Sequence, residues 1–408
     1  MAMNVRFLGG GNEVGRVGIL IQHNSQKLLI DYGMTPENPP KFPQPSPFVD
    51  NLFLSHAHLD HSGMIPWIVS TYGANIYSTT ITRDIAHILF KDALKIADIE
   101  GHLVPYTKMD IGKALRKFYK LNYGETIAMN GLNCTGHSAG HIPGSLMFEI
   151  NNHILVTGDF NTIDTHLLKG AKPIKSNILF LEGTYSGTDH PYRPQLEKEF
   201  LDRIDDTLKK NGTVIIPAFA VGRAQELSMM LLDSGYDVWL DGMGKKIGQI
   251  FLNHPEFLAH PKQLDKALNQ VKKVYSSHMR KQALNGEIIL TTSGMLEGGP
   301  VLWYINNIAD DAKSSIILTG HQVEGTNGHM LLDNQTINLF GVLKKVSCHI
   351  DYFDFSAHAG HSQLVQFARD CHAHKVVIYH SDNPAPLAEA ISDFAEVIIP
   401  QNNQEIEL

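Results

Sequence analysis

NLFLSHAHLDHSG, residues 51–63, is the stretch from which the rest of the chain is read. Asn51–Leu54 is a short apolar strand that runs straight into His56-Ala57-His58-Leu59-Asp60-His61. In an extended segment alternate side chains share a face, so His56, His58 and Asp60 can point one way while His61 turns to a second position. Packing has no use for three imidazoles and a carboxylate crowded together at a strand end. Imidazole nitrogen and carboxylate oxygen are the ordinary ligands of zinc where thiolate is absent.

This cluster cannot complete two metal spheres, so further ligands are expected at other strand ends. Gly140-His141-Ile142-Pro143-Gly144-Ser145 offers a histidine between glycines, which let the backbone approach a ligand closely. Thr157-Gly158-Asp159 follows the apolar run 153–156 and places a carboxylate, able to bridge two metals, at a strand terminus. Alone, each reads equally well as a turn, and it is their order after the first cluster that counts. GGGNEVG, residues 9–15, is glycine-rich, but no helical pattern follows it. It reads as a strand connection near the site rather than as a nucleotide loop.

Around these motifs the chain changes style twice. The pair GILIQ and KLLID flanks a short polar turn, as in a β-hairpin. Helical patterns at 64–72 and 80–97 precede strands at 126–134, 144–149 and 153–157, which predicts two sheets with helices outside. After about residue 186, strand and helix alternate: TVIIP, YDVWL, GEIILTT and SSIILTG are each an apolar strand, the first three leading into a helical pattern. That alternation predicts a parallel, Rossmann-like sheet. The first style resumes from about 345, so residues 186–344 read as one domain inserted between 1–185 and 345–408.

Composition narrows the class. At 408 residues the chain is long enough for two packed domains. It lacks any run of apolar residues long enough to span a membrane. The start MAMNVRFLGGG lacks a basic segment followed by an apolar one, and the three cysteines form no C-x-x-C pair. A cytoplasmic, reduced protein is expected. The net charge of −8 neither favours nor excludes a nucleic-acid substrate, because bound metal would add positive charge where it matters.

The ordered set LLIDYG, SHAHLDHSG, AGHIPGS and TGDF resembles the metallo-β-lactamase fold. FLEGTY (180–185), PAFAVGRAQE, TTSGMLEGGP, GHQVEGT, FSAH and IYH resemble the β-CASP branch of that fold, to which ribonuclease J and the endonuclease subunit of the pre-mRNA cleavage and polyadenylation factor belong. The likeness covers nearly the whole chain. It implies an α/β fold: a metallo-β-lactamase αββα sandwich carrying an inserted Rossmann-like β-CASP domain.

It also implies roles. His56, His58 and His141 would hold one Zn2+, Asp60, His61 and His380 the other, with Asp159 bridging both. Asp31 would orient the cluster from behind it. Two such metals, about 3.5–4 Å apart, lower the pKa of water, hold a phosphate and neutralise its charge. Asp60 would orient the attacking water, and Glu182 with His358 would deliver a proton to the leaving oxygen. The family implies products with a 5′-phosphate and a 3′-hydroxyl.

Some positions depart from the pattern. His380 is followed by Ser381-Asp382-Asn383 where Gly-Glu is usual, Glu182 by Gly183 where a hydroxylated residue is usual, and His329 stands where Arg is common. Arg223, Ser293 and Gly294 are candidates for contact with substrate phosphate, each balanced by an ordinary structural reading. His137, His349, His361, His372 and His374 read as ordinary histidines; His321 and His329 stand in a glycine-rich loop as further candidates.

The expected function is a two-zinc ribonuclease acting on single-stranded RNA, as an endonuclease with a 5′–3′ exonuclease activity also open. RNA would be recruited through a homodimer or an RNA-processing complex. Two alternatives remain: a DNA-acting nuclease of the same branch, and a small-ester hydrolase, which would need no inserted domain.

Overall fold

The runs Gly18–His23 and Gln26–Ile30 pair antiparallel, Ile19 opposite Ile30 and Leu20 opposite Leu29. They are the centre of the first of three large sheets. In the computed structural model, which describes residues 3–23, 26–37, 39–129 and 131–408, the hairpin turn itself falls outside the described residues. The chain forms two compact units, one of Met1–Asp164, Lys169–Asp189 and Ala357–Leu408, the other of Thr165–Leu168 and His190–Ser356.

The first unit is a sandwich. Its first sheet runs, edge to edge, Glu405–Glu407, Met3–Gly9, Gly18–His23, Gln26–Ile30, Asn51–Phe53, Asn75–Ser78 and Phe118–Lys120. The second runs Glu396–Ile398, Lys375–Tyr379, Ile178–Glu182, Ile154–Val156, Leu146–Ile150, Leu132–Ser138 and Thr126–Met129. The inner faces meet through Phe7, Ile19, Ile30 and Phe53 from one sheet and Phe148, Val156, Phe180 and Tyr379 from the other. The two-residue period of a strand sends the intervening side chains outward. Leu155, Leu179 and Ile378 therefore meet the buried faces of helices His361–Asp370 and Ala385–Ile391, through Leu364, Phe367, Leu387 and Ile391. The stretch 126–134 read as one strand is a hairpin, Thr126–Met129 pairing antiparallel with Leu132–Ser138.

The helices fall where their signals stand. Ile65–Tyr72 has Pro66 in its first turn and ends on left-handed Gly73. Thr80–Glu100 is capped by the Thr79 hydroxyl, which accepts from Thr82 N–H, and ends on left-handed Gly101.

The second unit is built on one parallel sheet, in the order Lys272–Lys273, Val238–Asp241, Ile288–Thr291, Val214–Pro217, Ser315–Leu318 and His349–Tyr352. The last strand pairs with Ser315–Leu318. The inserted sheet thus continues to residue 352, past the boundary at 344 read from the sequence. Only this backbone pairing distinguishes the last strand from the start of the returning segment. Among the described residues no helix is long and apolar enough to cross a membrane.

One polar group is built into this second core. Asp241, at the end of its strand, has a side chain only 2% exposed. It accepts from Arg280 Nε at 2.6 Å, Lys245 Nζ at 3.2 Å, Tyr304 Oη at 3.1 Å and the Gly242 N–H at 2.7 Å. Removing one partner of a buried pair leaves the other charge uncompensated. We expect Asp241→Ala to cost about 3 kcal/mol, the low end for such a change because Arg280 keeps some solvent. Trp239 and Trp303 lie in this unit, so urea unfolding followed by tryptophan fluorescence reads the loss. The expected midpoint shift is roughly 1 M or more; an unchanged midpoint would show that the cluster is incidental.

Candidate metal centre

The site is made from the ends of strands in both sheets of the sandwich. Asn51–Phe53 delivers Ser55 and His56, and the short helix Leu59–Ser62 carries Asp60 and His61. Leu132–Ser138 leads to His141, Ile154–Val156 to Asp159, Ile178–Glu182 ends on Glu182 itself, and Lys375–Tyr379 is followed by His380. Asp31 and His380 both adopt left-handed backbone, with φ of 55° and 51°. Asp and His are among the few non-glycine residues that do so at modest cost, and such residues gather at functional sites.

Three groups of potential ligand atoms result, each with its atoms within 4.8 Å of one another: His56, His58, His141 and Asp159; Asp60, His61 and His380; and Asp159, Glu182 and His358. Asp159 divides its two oxygens between neighbours. Oδ2 lies 3.5 Å from His56 Nε2 and 3.8 Å from His141 Nε2, whereas Oδ1 lies 3.2 Å from His61 Nε2 and 3.4 Å from His380 Nδ1. Asp60 Oδ2 is 3.5 Å from His380 Nε2 and 3.9 Å from His61 Nε2.

Three of the rings are held from behind. His61 Nδ1 donates to Asp31 Oδ2 at 2.7 Å, and His141 Nδ1 to the Ala357 carbonyl at 2.9 Å. Carboxylate and carbonyl oxygens only accept, so these contacts put the proton on Nδ1 and leave Nε2 with its lone pair facing the centre. Ser55 Oγ donates to Asp31 at 2.7 Å and meets His56 Nδ1 at 3.0 Å. Asp31 therefore sets two of these rings, His61 directly and His56 through Ser55. Ser55 was not singled out in the sequence, because a serine beside a histidine carries no signal of its own.

Gly33 was missed as well. A Cβ there would lie 1.7 Å from the Asp60 carbonyl oxygen. Around it the 32–34 loop is laced to the metal motif by Tyr32 N–H to His61 O at 2.8 Å and Met34 N–H to Leu59 O at 2.8 Å. Only glycine allows the two backbones to lie so close.

The donor set suits a divalent cation. His56 Nε2, His61 Nε2, His380 Nε2 and Asp159 Oδ1 are buried and lack a hydrogen-bond partner among the described residues. Each such group costs about 1–3 kcal/mol if left unmet, and their convergence on one spot is what a cation would satisfy. Burial, aided by neighbouring imidazoles, holds His56 and His141 well below the usual histidine range, and His58 below it. Their lone pairs are thus available at neutral pH. For His61 burial works in the same direction, but Asp159, Asp31 and Asp60 outweigh it and hold the ring well above the ordinary value. The same carboxylates would draw a metal ion to Nε2 in place of that second proton.

Glu182 is fully buried beside this centre, and His358 Nδ1 donates to its Oε1 at 3.1 Å. Burial opposes the charge on His358, but Glu182, then Asp159, push its pKa up to about 9. The ring packs on His141 with centroids 4.6 Å apart.

Two of the three departures in the sequence pattern, Gly183 and Ser381, meet in space. A Cβ on Gly183 would stand 2.9 Å from Ser381 Cβ, so one position holds a side chain where the other cannot. Asp382 accepts from the Val14 N–H at 2.9 Å, and His380 N–H donates to the Gly10 carbonyl at 2.7 Å. The 9–15 loop therefore lies against the His380 segment.

The remaining candidates lie in the second unit. Of the two readings of Arg223, phosphate contact or acid pair, the structure shows the acid pair. Arg223 is 7% exposed, and its Nη1 donates to Glu226 at 2.8 Å, with the guanidinium 5.9 Å from the Phe355 ring. Burial and an acid one helical turn away make it a structural ion pair. Ser293 and Gly294 follow Ile288–Thr291 at the end of the parallel sheet, where the Gly294 carbonyl accepts from Gln322. His137 pairs with Glu149 at 2.8 Å, an ordinary structural role.

Residues 20–183 match the metallo-beta-lactamase superfamily domain, residues 224–331 the Beta-Casp domain, and residues 344–400 the Zn-dependent metallo-hydrolase RNA specificity domain. The chain is 34% identical to a protein named RNase aCSPSF2 of Saccharolobus solfataricus, over 99% of its own length and 85% of that protein. It is 35% identical to the probable RNase MJ4 of Methanocaldococcus jannaschii, over 93% of each. It is also 35% identical to transcription termination factor FttA of Methanococcus maripaludis, over 89% of this chain and 64% of that one. A crystal structure of a protein of unknown function from Enterococcus faecalis V583 superposes over the full length of both chains with a TM-score of 0.66 at 15% identity, a likeness of fold. With all three domains matched in order and relatives this similar end to end, the chain is a metal-dependent hydrolase of the β-CASP family within the metallo-β-lactamase superfamily.

Proposed function

We propose that this protein is a two-zinc ribonuclease that hydrolyses phosphodiester bonds of single-stranded RNA. The observation that carries the reading is the division of Asp159, with one oxygen facing His56 and His141 and the other facing His61 and His380. One ion would rest on His56, His58, His141 and Asp159, the other on Asp60, His61, His380 and Asp159. When bound, the pair supplies a water of lowered pKa and neutralises charge on the phosphate.

The chain's own residues do the rest. Asp31 and Ser55 fix the ring planes of His61 and His56, so the lone pairs are aimed before any ion arrives. Asp60, with a side chain 24% exposed, is the acid of the set that reaches solvent; it accepts a proton contact from the attacking water and orients it. His358, kept protonated by Glu182, gives a proton to the departing sugar oxygen. Hydrolysis then adds water across the P–O bond, leaving a 5′-phosphate on one fragment and a 3′-hydroxyl on the other.

The choice of RNA rests on the RNA specificity domain matched at 344–400 and on the names of the similar RNases. The three free, buried cysteines suit a reducing cytoplasm. The test is cleavage of one 5′-labelled single-stranded sequence made as RNA and as DNA, with zinc supplied. We expect RNA to be cut at least about tenfold faster, equivalent to about 1.4 kcal/mol of transition-state preference. Equal or faster cleavage of DNA would move the assignment to the DNA-acting branch. Cleavage of neither, alongside turnover of a simple ester, would move it to small-ester hydrolysis.

A further inference from the structure

Thr184 is an ordinary-looking residue two positions past Glu182, but it makes two contacts with the machinery at once. Its backbone N–H donates to Glu182 Oε2 at 2.8 Å. Its Oγ1 lies 3.2 Å from His380 Nδ1 and 3.5 Å from the His380 carbonyl. The other carboxylate oxygen of Glu182 receives His358. One residue thus connects the proton-delivering pair to a histidine of the metal group.

The geometry assigns Thr184 as the positioning residue of His380. The hydroxyl can donate to the His380 carbonyl while accepting from Nδ1–H, which places the ring proton on Nδ1 and directs Nε2, a buried atom without a partner among the described residues, toward Asp60 and the centre. His61 and His141 gain the same orientation from Asp31 and the Ala357 carbonyl. At His380 Nδ1 the Thr184 hydroxyl, at 3.2 Å, is nearer than Asp159 Oδ1, at 3.4 Å, and that oxygen also faces His61 at 3.2 Å, so the hydroxyl supplies for His380 what a carboxylate or carbonyl supplies elsewhere. Such outer contacts are worth about 10–100-fold in metal affinity. Gly183 sharpens the case. Its lack of a side chain lets Ser381 pack against it, within 2.9 Å of where a Cβ would stand, bringing the two segments together so that Thr184 reaches His380.

This inference rests on the two-zinc reading above, and its test separates the two. Thr184→Val keeps the shape and the backbone N–H but removes the hydroxyl; Thr184→Ser restores the hydroxyl. Zinc content per chain is titrated against a chelator of known affinity for wild type and both variants, with RNA cleavage measured at saturating zinc. Wild type should release two ions in two steps. Thr184→Val should release one of them at about 10–100-fold lower chelator strength, with the other unchanged, and Thr184→Ser should return to the wild-type curve. Thermal melting of the metal-free proteins should show all three alike, which a purely structural role would not allow. Wild-type chelation curves for Thr184→Val would overturn the assignment while leaving the two-zinc reading intact. A wild-type protein that binds no zinc would overturn both.

Discussion

Asp159→Asn should leave a folded protein that no longer holds two zinc ions and no longer cuts RNA. The substitution is close to isosteric and replaces one oxygen by an amide nitrogen, so the side chain still fits its site, which is only 3% exposed. What changes is charge and bridging. Asp159 is the only side chain of the set with an oxygen within 3.5 Å of a histidine in each of the two groups. An amide nitrogen carries hydrogens toward whichever group it faces and cannot coordinate. Zinc measured after desalting should fall from two ions per chain to one or none. RNA cleavage should fall by about a thousandfold or more, roughly 4 kcal/mol of transition-state stabilisation. Chelation of the wild type should match it, and re-addition of zinc should restore the wild type alone. A third readout is independent of activity: a ligand that binds only the folded state raises stability by about 4 kcal/mol at a thousand times its dissociation constant. Saturating zinc should therefore raise the wild-type melting temperature clearly and the variant's little. If Asp159→Asn keeps both ions and its activity, the bridging role is wrong, and the metals are held by the histidines alone.

How much of this the sequence disclosed differs from residue to residue. His56, His58, Asp60 and His61 were legible by themselves because six adjacent positions concentrated more ligand chemistry than packing can use. His141, Asp159 and His380 were not, since each stands alone at a strand end and a turn explains it as well. Their order, matched to a family, singled them out, and the two sheets bring their strand ends together. Ser55, Gly33 and Thr184 stand inside the quoted motifs but nothing in those motifs singles them out, because their roles are relations. Gly33 matters only through the Asp60 carbonyl beside it, and Thr184 only through His380, far along the chain. For Arg223 the sequence left a phosphate contact and an acid pair level, and the pair is the one present: Glu226 stands three residues on in the same helix, the spacing at which opposite charges meet. The strand at 349–352 could not be assigned from its pattern, since a short edge strand of mixed polarity, His-Ile-Asp-Tyr, reads the same in either sheet.

Replacing His358 with alanine should slow RNA cleavage by about 10²–10⁴-fold without loss of zinc, and the loss should depend on the leaving group. The ring is not among the seven side chains that make the two proposed metal positions. It stands beside them, on Glu182, with its pKa pushed up to about 9 and a side chain 19% exposed, so it holds a proton at neutral pH and has an opening through which to give it. An alkoxide leaving from phosphorus at neutral pH needs that proton; a thiolate in its place does not. With RNA containing a single 3′-bridging sulfur at the scissile bond, His358→Ala should lose most of its defect, whereas Asp60→Asn, which touches the attacking side, should remain impaired on both substrates. Glu182→Gln should resemble His358→Ala more weakly, because the imidazole remains but loses the charge that keeps it protonated. The position of His358, packed on His141 at 4.6 Å, raises one competing explanation, that its removal merely disturbs a ligand. The sulfur substrate decides between them, since a displaced ligand would slow both reactions alike, and zinc content would fall with them. Equal defects on oxygen and sulfur leaving groups with both ions retained would remove His358 as the acid and return the proton to solvent.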